Sequence, residues 1–276
     1  MKIGSLCTGY GGLDLAVEAV TGAKTIWYSE FDKHVSKIME HHRPNLPNLG
    51  DLTKVDWSNV EPIDIITAGY PCQPFSTAGQ RKGTNDPRHI WPHIAEAISL
   101  LRPKLVILEN VRGHLTLGFD EVLRTLTEIG YDARWEIVRA SDVGAPHQRA
   151  RLFVIAYPQS TASLTSDTNS DACEKSRRTD RGVSSQGSEI INETDREIDW
   201  GCYKDAIERW EQLTRKCPNP IDDQNRLNPV FVEWMMGLEP GWVTQIGLSR
   251  TQELKALGNG VVPQQAAYAL TRLLNY

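Results

Sequence analysis

The sequence predicts an α/β fold: a mostly parallel sheet with helices on both faces, plus a small inserted region. Three observations predict it. Strand-like and helix-like segments alternate from Met1 to Pro158, the order that builds a parallel sheet through crossover helices. The runs "IDIIT" and "LVIL" are continuously apolar, as strands covered on both faces must be. From Gln159 to Asp199 the chain turns rich in Ser, Thr, Asn, Asp and Glu and loses apolar periodicity, which predicts an inserted, partly disordered stretch.

The elements follow in order. "KIGSLCT" reads as the first strand and Gly12 to Val20 as a short helix behind a glycine turn. Lys24 to Ser29 is the second strand, followed by a helix through His42. Ile63 to Ala68 is the third strand, His89 to Leu101 a helix, and "KLVILEN" the fourth strand. Phe119 to Ile129 reads as helix, then Ala133 to Arg139 and "RLFVIAY" from Arg151 as strands. Beyond the polar stretch, Trp200, Tyr203, Ile207, Trp210 and Leu213 approximate helical spacing. Phe231 to Met236 and Pro263 to Leu274 give two more helices, and Gly258-Asn259-Gly260 reads as a tight turn feeding the last one.

Bulk composition narrows the class. The 276 residues are 40% hydrophobic, enough for one large domain or one domain with an insertion. No apolar run approaches the length of a membrane span, and Met1 leads straight into a strand without a signal peptide, so a cytoplasmic chain with no membrane partner is expected. The five cysteines are odd in number and not at ligand spacing, so neither a disulfide framework nor a metal site is expected. A net charge of -5 does not by itself suggest a nucleic-acid partner. Charge is segregated, however: Arg81, Lys82 and Arg88 cluster, as do Arg149 and Arg151.

Five stretches carry chemistry. In "CTGYGGLDLA", Gly9, Gly11 and Gly12 let the backbone lie against a ligand with a helix amino end behind it, and equally suit a plain tight turn. Glu30 stands at the end of the second strand, where a carboxylate can grip ribose hydroxyls or simply face solvent. Asp51 in "GDLTKVD" can accept from an adenine amino group or cap a turn. Cys72 lies between Pro71 and Pro74 at the carboxyl end of a parallel strand, where α/β proteins place their sites and where a thiolate could be aimed. Glu109 and Asn110 end the very apolar fourth strand, where a carboxyl can have a raised pKa and serve as an acid or else cap a helix. Arg149 and Arg151 stand two apart, so in extended chain they point the same way, toward a carbonyl, a phosphate or a sheet-edge ion pair.

Taken in order, the Gly loop, "PCQPFS", "ENV", "QRARLF", "RLNPVFVEWMMGLEPGW" and "GNGVVPQQA" resemble the cytosine-5 DNA methyltransferase family. The resemblance covers Met1 to Pro158 and about Arg226 to Tyr276. It implies a Rossmann-like fold, with 1–158 and 250–276 as the catalytic domain. Residues 159–249 would then be a small target-recognition region, partly disordered at 159–199. It implies S-adenosyl-L-methionine as cofactor, held by Gly9, Gly11, Gly12, Glu30, Asp51 and Asn259, and no metal. It makes Cys72 the nucleophile toward carbon 6 of a flipped-out cytosine. Glu109 is then the acid at ring nitrogen 3, Arg151 the holder of the base carbonyl, and Arg149 a brace. Gln73 to His89 would form a loop closing over double-stranded DNA, with Gln73, Ser76, Arg81, Lys82 and Arg88 on the DNA. A monomer is expected, with a cognate restriction endonuclease acting separately or a role in phage DNA protection.

Two positions depart from the family pattern. Cys7 stands where an aromatic is usual beside the adenine, and Gly260 where a hydroxyl residue is common. Three other readings compete: an RNA cytosine methyltransferase on the same motifs, a nucleotide-linked oxidoreductase using the Gly loop, and a catalytically silent relative. The oxidoreductase leaves "PCQPFS" and the Arg pair unexplained. The silent relative conflicts with intact Cys72, Glu109 and Arg151. The "LNPVFVEWMMG" element favours DNA over RNA.

Overall fold

The computed structural model describes residues 1–71, 90–159 and 198–275. Six strands form one sheet in the order β2-β1-β3-β4-β6-β5: β1 Lys2–Leu6, β2 Lys24–Ser29, β3 Ile65–Gly69, β4 Leu105–Val111, β5 Tyr131–Val138 and β6 Arg151–Pro158. The pairs β1–β2, β1–β3 and β3–β4 are parallel. The sheet is mixed as well as mostly parallel, because β6 slots between β4 and β5 and runs antiparallel to both. The short passage from Val138 to Arg151 reverses the chain without a crossover helix, which forces an antiparallel pair.

The helices are α1 Gly12–Thr21, α2 Lys33–His42, α3 Trp91–Leu101, α4 Phe119–Glu128, α5 Lys204–Leu213, α6 Pro229–Met235, α7 Arg250–Asn259 and α8 Pro263–Leu274. Local chemistry sets their ends. Asp32 caps α2 by accepting from the amides of His34 and Val35, and Asn228 caps α6 ahead of Pro229 at the first helical position. The helix α7 replaces the expected tight turn. Ser249 and Gln252 form a capping box that starts it, so Gly258 and Asn259 are its last residues. Its exposed flank carries little apolar periodicity, and only Ala256 and Leu257 are buried.

Three apolar clusters hold the layers. One face of the sheet packs on α3 and α4 through residues such as Ile66, Ile94, Ile98 and Leu126. The other face packs on α1 and α8 through Ile65, Val17, Ala266 and Leu270. The third cluster joins the chain after residue 198 to the rest: Trp210, Phe231 and Trp234 share it with Tyr10, Ile38 and Ala140. Among the described residues, no helix is long and apolar enough to cross a membrane.

The two ends of the chain meet at Tyr10. Its ring is 1% exposed, and its hydroxyl donates to the Val261 carbonyl at 2.7 Å. A Cβ on Gly260 would lie 1.8 Å from Tyr10 Cε1, and one on Gly12 would lie 2.3 Å from the Val261 carbonyl oxygen. Gly260 is therefore the partner of a buried tyrosine ring, which accounts for the missing hydroxyl side chain there. The replacement Gly260→Ala should lower stability by about 1–3 kcal/mol through overpacking. Urea unfolding checks this, and the loss should shrink in a Tyr10→Ala background.

Candidate functional site

A cleft opens where β1, β3 and β4 end, between the loop before α1 and the α7–α8 turn. This is the carboxyl edge of the parallel strands, where such sheets bind ligands. The cleft is bordered by Gly9, Gly12, Asp14, Glu109 and Asn259. Gly9 has φ 59° and nothing within 4 Å of where a Cβ would stand, so the backbone itself faces the space. Gly11 has φ 82°, caps α1 and lies against Met39. Cys7, also at positive φ, ends β1 earlier than its sequence suggests, and burial pushes its thiol up to about 12.

Glu30, just past β2, braces the glycine loop. Its two oxygens accept from the amides of Gly9 and Asp32, each at 2.9 Å. Burial raises its pKa against those bonds. Asp51 is not among the residues bordering the cleft. Its carboxylate takes the amide and hydroxyl of Thr53 and faces Lys54 at 3.0 Å, so in this structure it caps a short 3₁₀ turn and has a pKa held low by those partners.

Glu109 is buried at the end of β4, with Oε1 3.0 Å from Arg151 Nε. Strand pairing explains the contact. Arg151 stands opposite Val111, two residues from Glu109 on the same face of β4. Burial outweighs the pull of Arg151 and Arg149 and pushes the Glu109 carboxyl up to about 7. Arg149 precedes the strand, so the premise of an extended chain between the two arginines does not hold. Its φ is 36°, so the chain turns before β6 begins. Its Nη2 donates to the carbonyls of Gly258 and Gly260, each at 2.7 Å. Arg149 thereby fixes the turn that brings exposed Asn259 to the cleft.

The chain leaves β3 beside this pair, since Gly69 stands opposite Glu109. Asn110 donates to the Tyr70 carbonyl at 3.1 Å. The Tyr70 hydroxyl lies 2.9 Å from His114 Nε2, and His114 Nδ1 faces the Leu117 carbonyl at 2.9 Å. The carbonyl requires a proton on Nδ1, so the Tyr70 hydroxyl donates to neutral Nε2. Tyr70 is thus held at both ends just ahead of Pro71. Cys72, Gln73, Ser76, Arg81, Lys82 and Arg88 lie outside the described residues.

Sequence reasoning missed Asp14, Tyr10, Tyr70 and His114. Asp14 left a signal: it sits beside Leu13 and in step with Val17, on the inner face of α1. It also missed Phe31, 74% exposed directly after Glu30.

A family model described as C-5 cytosine-specific DNA methylase matches residues 1–226. The type II methyltransferase M1.ScrFI of Lactococcus lactis subsp. cremoris is 33% identical over 171 residues, 60% of this chain and 44% of that protein. The type II methyltransferase M.NgoBI of Neisseria gonorrhoeae is 34% identical over 157 residues, 55% of this chain and 49% of that protein. The chain thus spans about half the length of the curated relatives it matches. In fold, it resembles a crystal structure of Spodoptera frugiperda DNMT2, with a TM-score of 0.64, 18% identity and 99% coverage of both chains.

Glu109 makes one defined contribution to the pH response. Its folded-state pKa is raised from 4.5 to about 7, so the folded protein holds a proton that the unfolded chain releases first. The contribution of Glu109 to stability is full below about pH 4.5 and is lost as pH rises through 7, by up to about 3 kcal/mol. Asp14, raised to about 6, adds a loss of the same sign at lower pH. Urea midpoints of Glu109→Gln should therefore be flatter between pH 6 and 7.5 than those of the unaltered protein.

Proposed function

The chain belongs to the C-5 cytosine-specific DNA methylase family, and from that membership we propose that it methylates carbon 5 of cytosine in a short duplex DNA sequence, working in the cytoplasm of a bacterial cell or phage-infected host. The observation that carries the reading is the buried Glu109–Arg151 pair at the mouth of the glycine-loop cleft. A carboxyl pushed up to about 7 can hold a proton at neutral pH and give it to a ring nitrogen. A guanidinium beside it can hold a carbonyl oxygen of the same base.

The donor set fits S-adenosyl-L-methionine. The open backbone at Gly9 and the amino end of α1 suit an amino acid carboxylate. The acids Asp14 and Glu109 along the cleft, with Glu30 braced against Gly9, suit an ammonium or sulfonium. The exposed ring of Phe31 offers a face for a purine. When bound, this cofactor supplies an electrophilic methyl group.

The chain's own residues do the rest. The Cys72 thiolate adds to carbon 6 of a cytosine turned out of the helix. Glu109 gives its proton to nitrogen 3 as electron density builds on the ring, and Arg151 holds the carbonyl oxygen. Carbon 5, now nucleophilic, would take the methyl group that the bound cofactor supplies, whose sulfonium sulfur keeps the electron pair and leaves as a neutral thioether. Loss of the carbon 5 proton to a base and departure of the Cys72 thiolate restore the ring, and Glu109 recovers the proton from nitrogen 3. Arg149 keeps Asn259 at the cleft through the Gly258 and Gly260 carbonyls. Residues 159–249 select the DNA sequence, and Arg81, Lys82 and Arg88 meet phosphates.

Conversion sequencing of genomic DNA from a methylation-free bacterium expressing this chain is the direct test. Protected cytosines should fall in one short motif and vanish with Cys72→Ala, a loss of at least several orders of magnitude in rate. Methylation persisting in that variant would sink the covalent mechanism.

A further inference from the structure

The proposed chemistry leaves one carboxyl of the cleft without a task. Asp14 is 1% exposed, yet it borders the cleft with Ser5, Thr8 and Thr67. Its Oδ1 accepts from Thr67 Oγ1 at 2.5 Å and its Oδ2 from Ser5 Oγ at 2.8 Å. Ser5 Oγ lies 2.9 Å from Thr8 Oγ1. A hydroxyl has one proton to give. While Asp14 is ionised, Ser5 donates to it and has no proton left for Thr8, whose hydroxyl then donates to Ser5 Oγ or to the Ser5 carbonyl at 3.4 Å. When Asp14 carries a proton directed at Ser5, the order reverses and Ser5 donates to Thr8. The charge on Asp14 therefore sets whether the Ser5 proton points to Asp14 or to Thr8 at the cleft wall.

One cation, Arg43, draws the Asp14 pKa down, but by less than burial raises it. From β1 and β3 come only the hydroxyls of Ser5 and Thr67. On its own helix stands Glu18, whose carboxylate takes Arg43, just past α2, in a bidentate pair at 2.6 and 2.7 Å. Arg151 is engaged by Glu109 and Arg149 by backbone carbonyls. The face of α8 on α1 is apolar, with Ala266, Ala269 and Leu270. Among the described residues, no ion pair is made by Asp14, and its pKa is pushed up to about 6 by burial. A cation in the cleft would favour its ionised form.

We propose that Asp14 is a positioning residue that answers the positive charge of the bound cofactor: as S-adenosyl-L-methionine enters, Asp14 gives up its proton to solvent and fixes the Ser5 hydroxyl proton toward itself. This inference rests on the cofactor reading above.

Calorimetric titration of S-adenosyl-L-methionine into DNA-free protein, in buffers of different ionisation enthalpy, counts the protons released. The comparison is Glu109→Gln against Asp14→Asn/Glu109→Gln, so that the proton on Glu109 does not enter. At pH 6, the first protein should release up to about half a proton more per cofactor than the second, and the difference should vanish by pH 8. A purely structural role for Asp14 would not change the count. Equal release at pH 6 with cofactor bound to both proteins overturns the inference and leaves the proposed function standing. Failure of the unaltered protein to bind the cofactor overturns the proposed function itself. If the double variant does not fold, infrared difference spectra of Glu109→Gln with carboxyl-labelled aspartate decide. A protonated-aspartate band lost on cofactor addition supports the inference, and an unchanged band overturns it.

Discussion

The hydrogen bond from the Tyr10 hydroxyl to the Val261 carbonyl, 2.7 Å long and spanning 251 residues of sequence, is the constraint on which the rest of the site depends. It brings the α7–α8 turn against the loop before α1. Only with glycine at 12 and 260 can the two backbones and the ring come this close. The same contact lets α8 cover α1 and the sheet through Ala266, Ala269 and Leu270. It also leaves Gly258 and Gly260 with carbonyls that Arg149 takes up from just before β6. One wall of the cleft is therefore made by the far end of the chain and held by two unrelated elements.

The chain after residue 198 is tied to the same point. Glu233 is fully buried and accepts from the amides of Gly241, Val243 and Thr244. A buried carboxylate with that many donors fixes a loop that would otherwise wander. The loop presents Trp242, whose indole nitrogen donates to the Tyr10 carbonyl at 2.9 Å and whose ring stacks on His42 at 3.8 Å. Tyr10 is thus gripped at its hydroxyl by one segment and at its backbone by another. The geometry of the glycine loop is a property of the whole fold.

Charge in the cleft is governed by burial more than by pairing. Glu109 sits against a guanidinium and still has a raised pKa, because desolvation costs the ionised form more than Arg151 and Arg149 together return. Asp14 accepts two hydroxyl hydrogen bonds and is raised for the same reason. The exposed carboxylate Asp56 takes comparable bonds, from Ser58 and Asn59, in water and is lowered. Similar side chains take opposite protonation tendencies according to depth.

Much of this was legible in the sequence. Alternating segments and continuous apolar strands gave the layers, because periodicity reports which faces are buried. Glu109 at the end of "LVIL" marked an acid at the edge of an apolar strand, and Gly9, Gly11 and Gly12 marked a backbone-lined loop. The side to which each arginine turns was not legible. Arg149 and Arg151 share a face only if the chain between them is extended, and a positive φ at Arg149 breaks that premise. The antiparallel course of β6, the helix at Arg250–Asn259 and the hydroxyl partners of Asp14 were likewise settled by packing. Sequence determined which residue types stand at the strand ends, since local pattern carries that information. Tertiary structure alone decided which of them touch, since Tyr10 and Val261, Arg151 and Glu109, or Asp14 and Thr67 are neighbours only through strand register and closure of the chain.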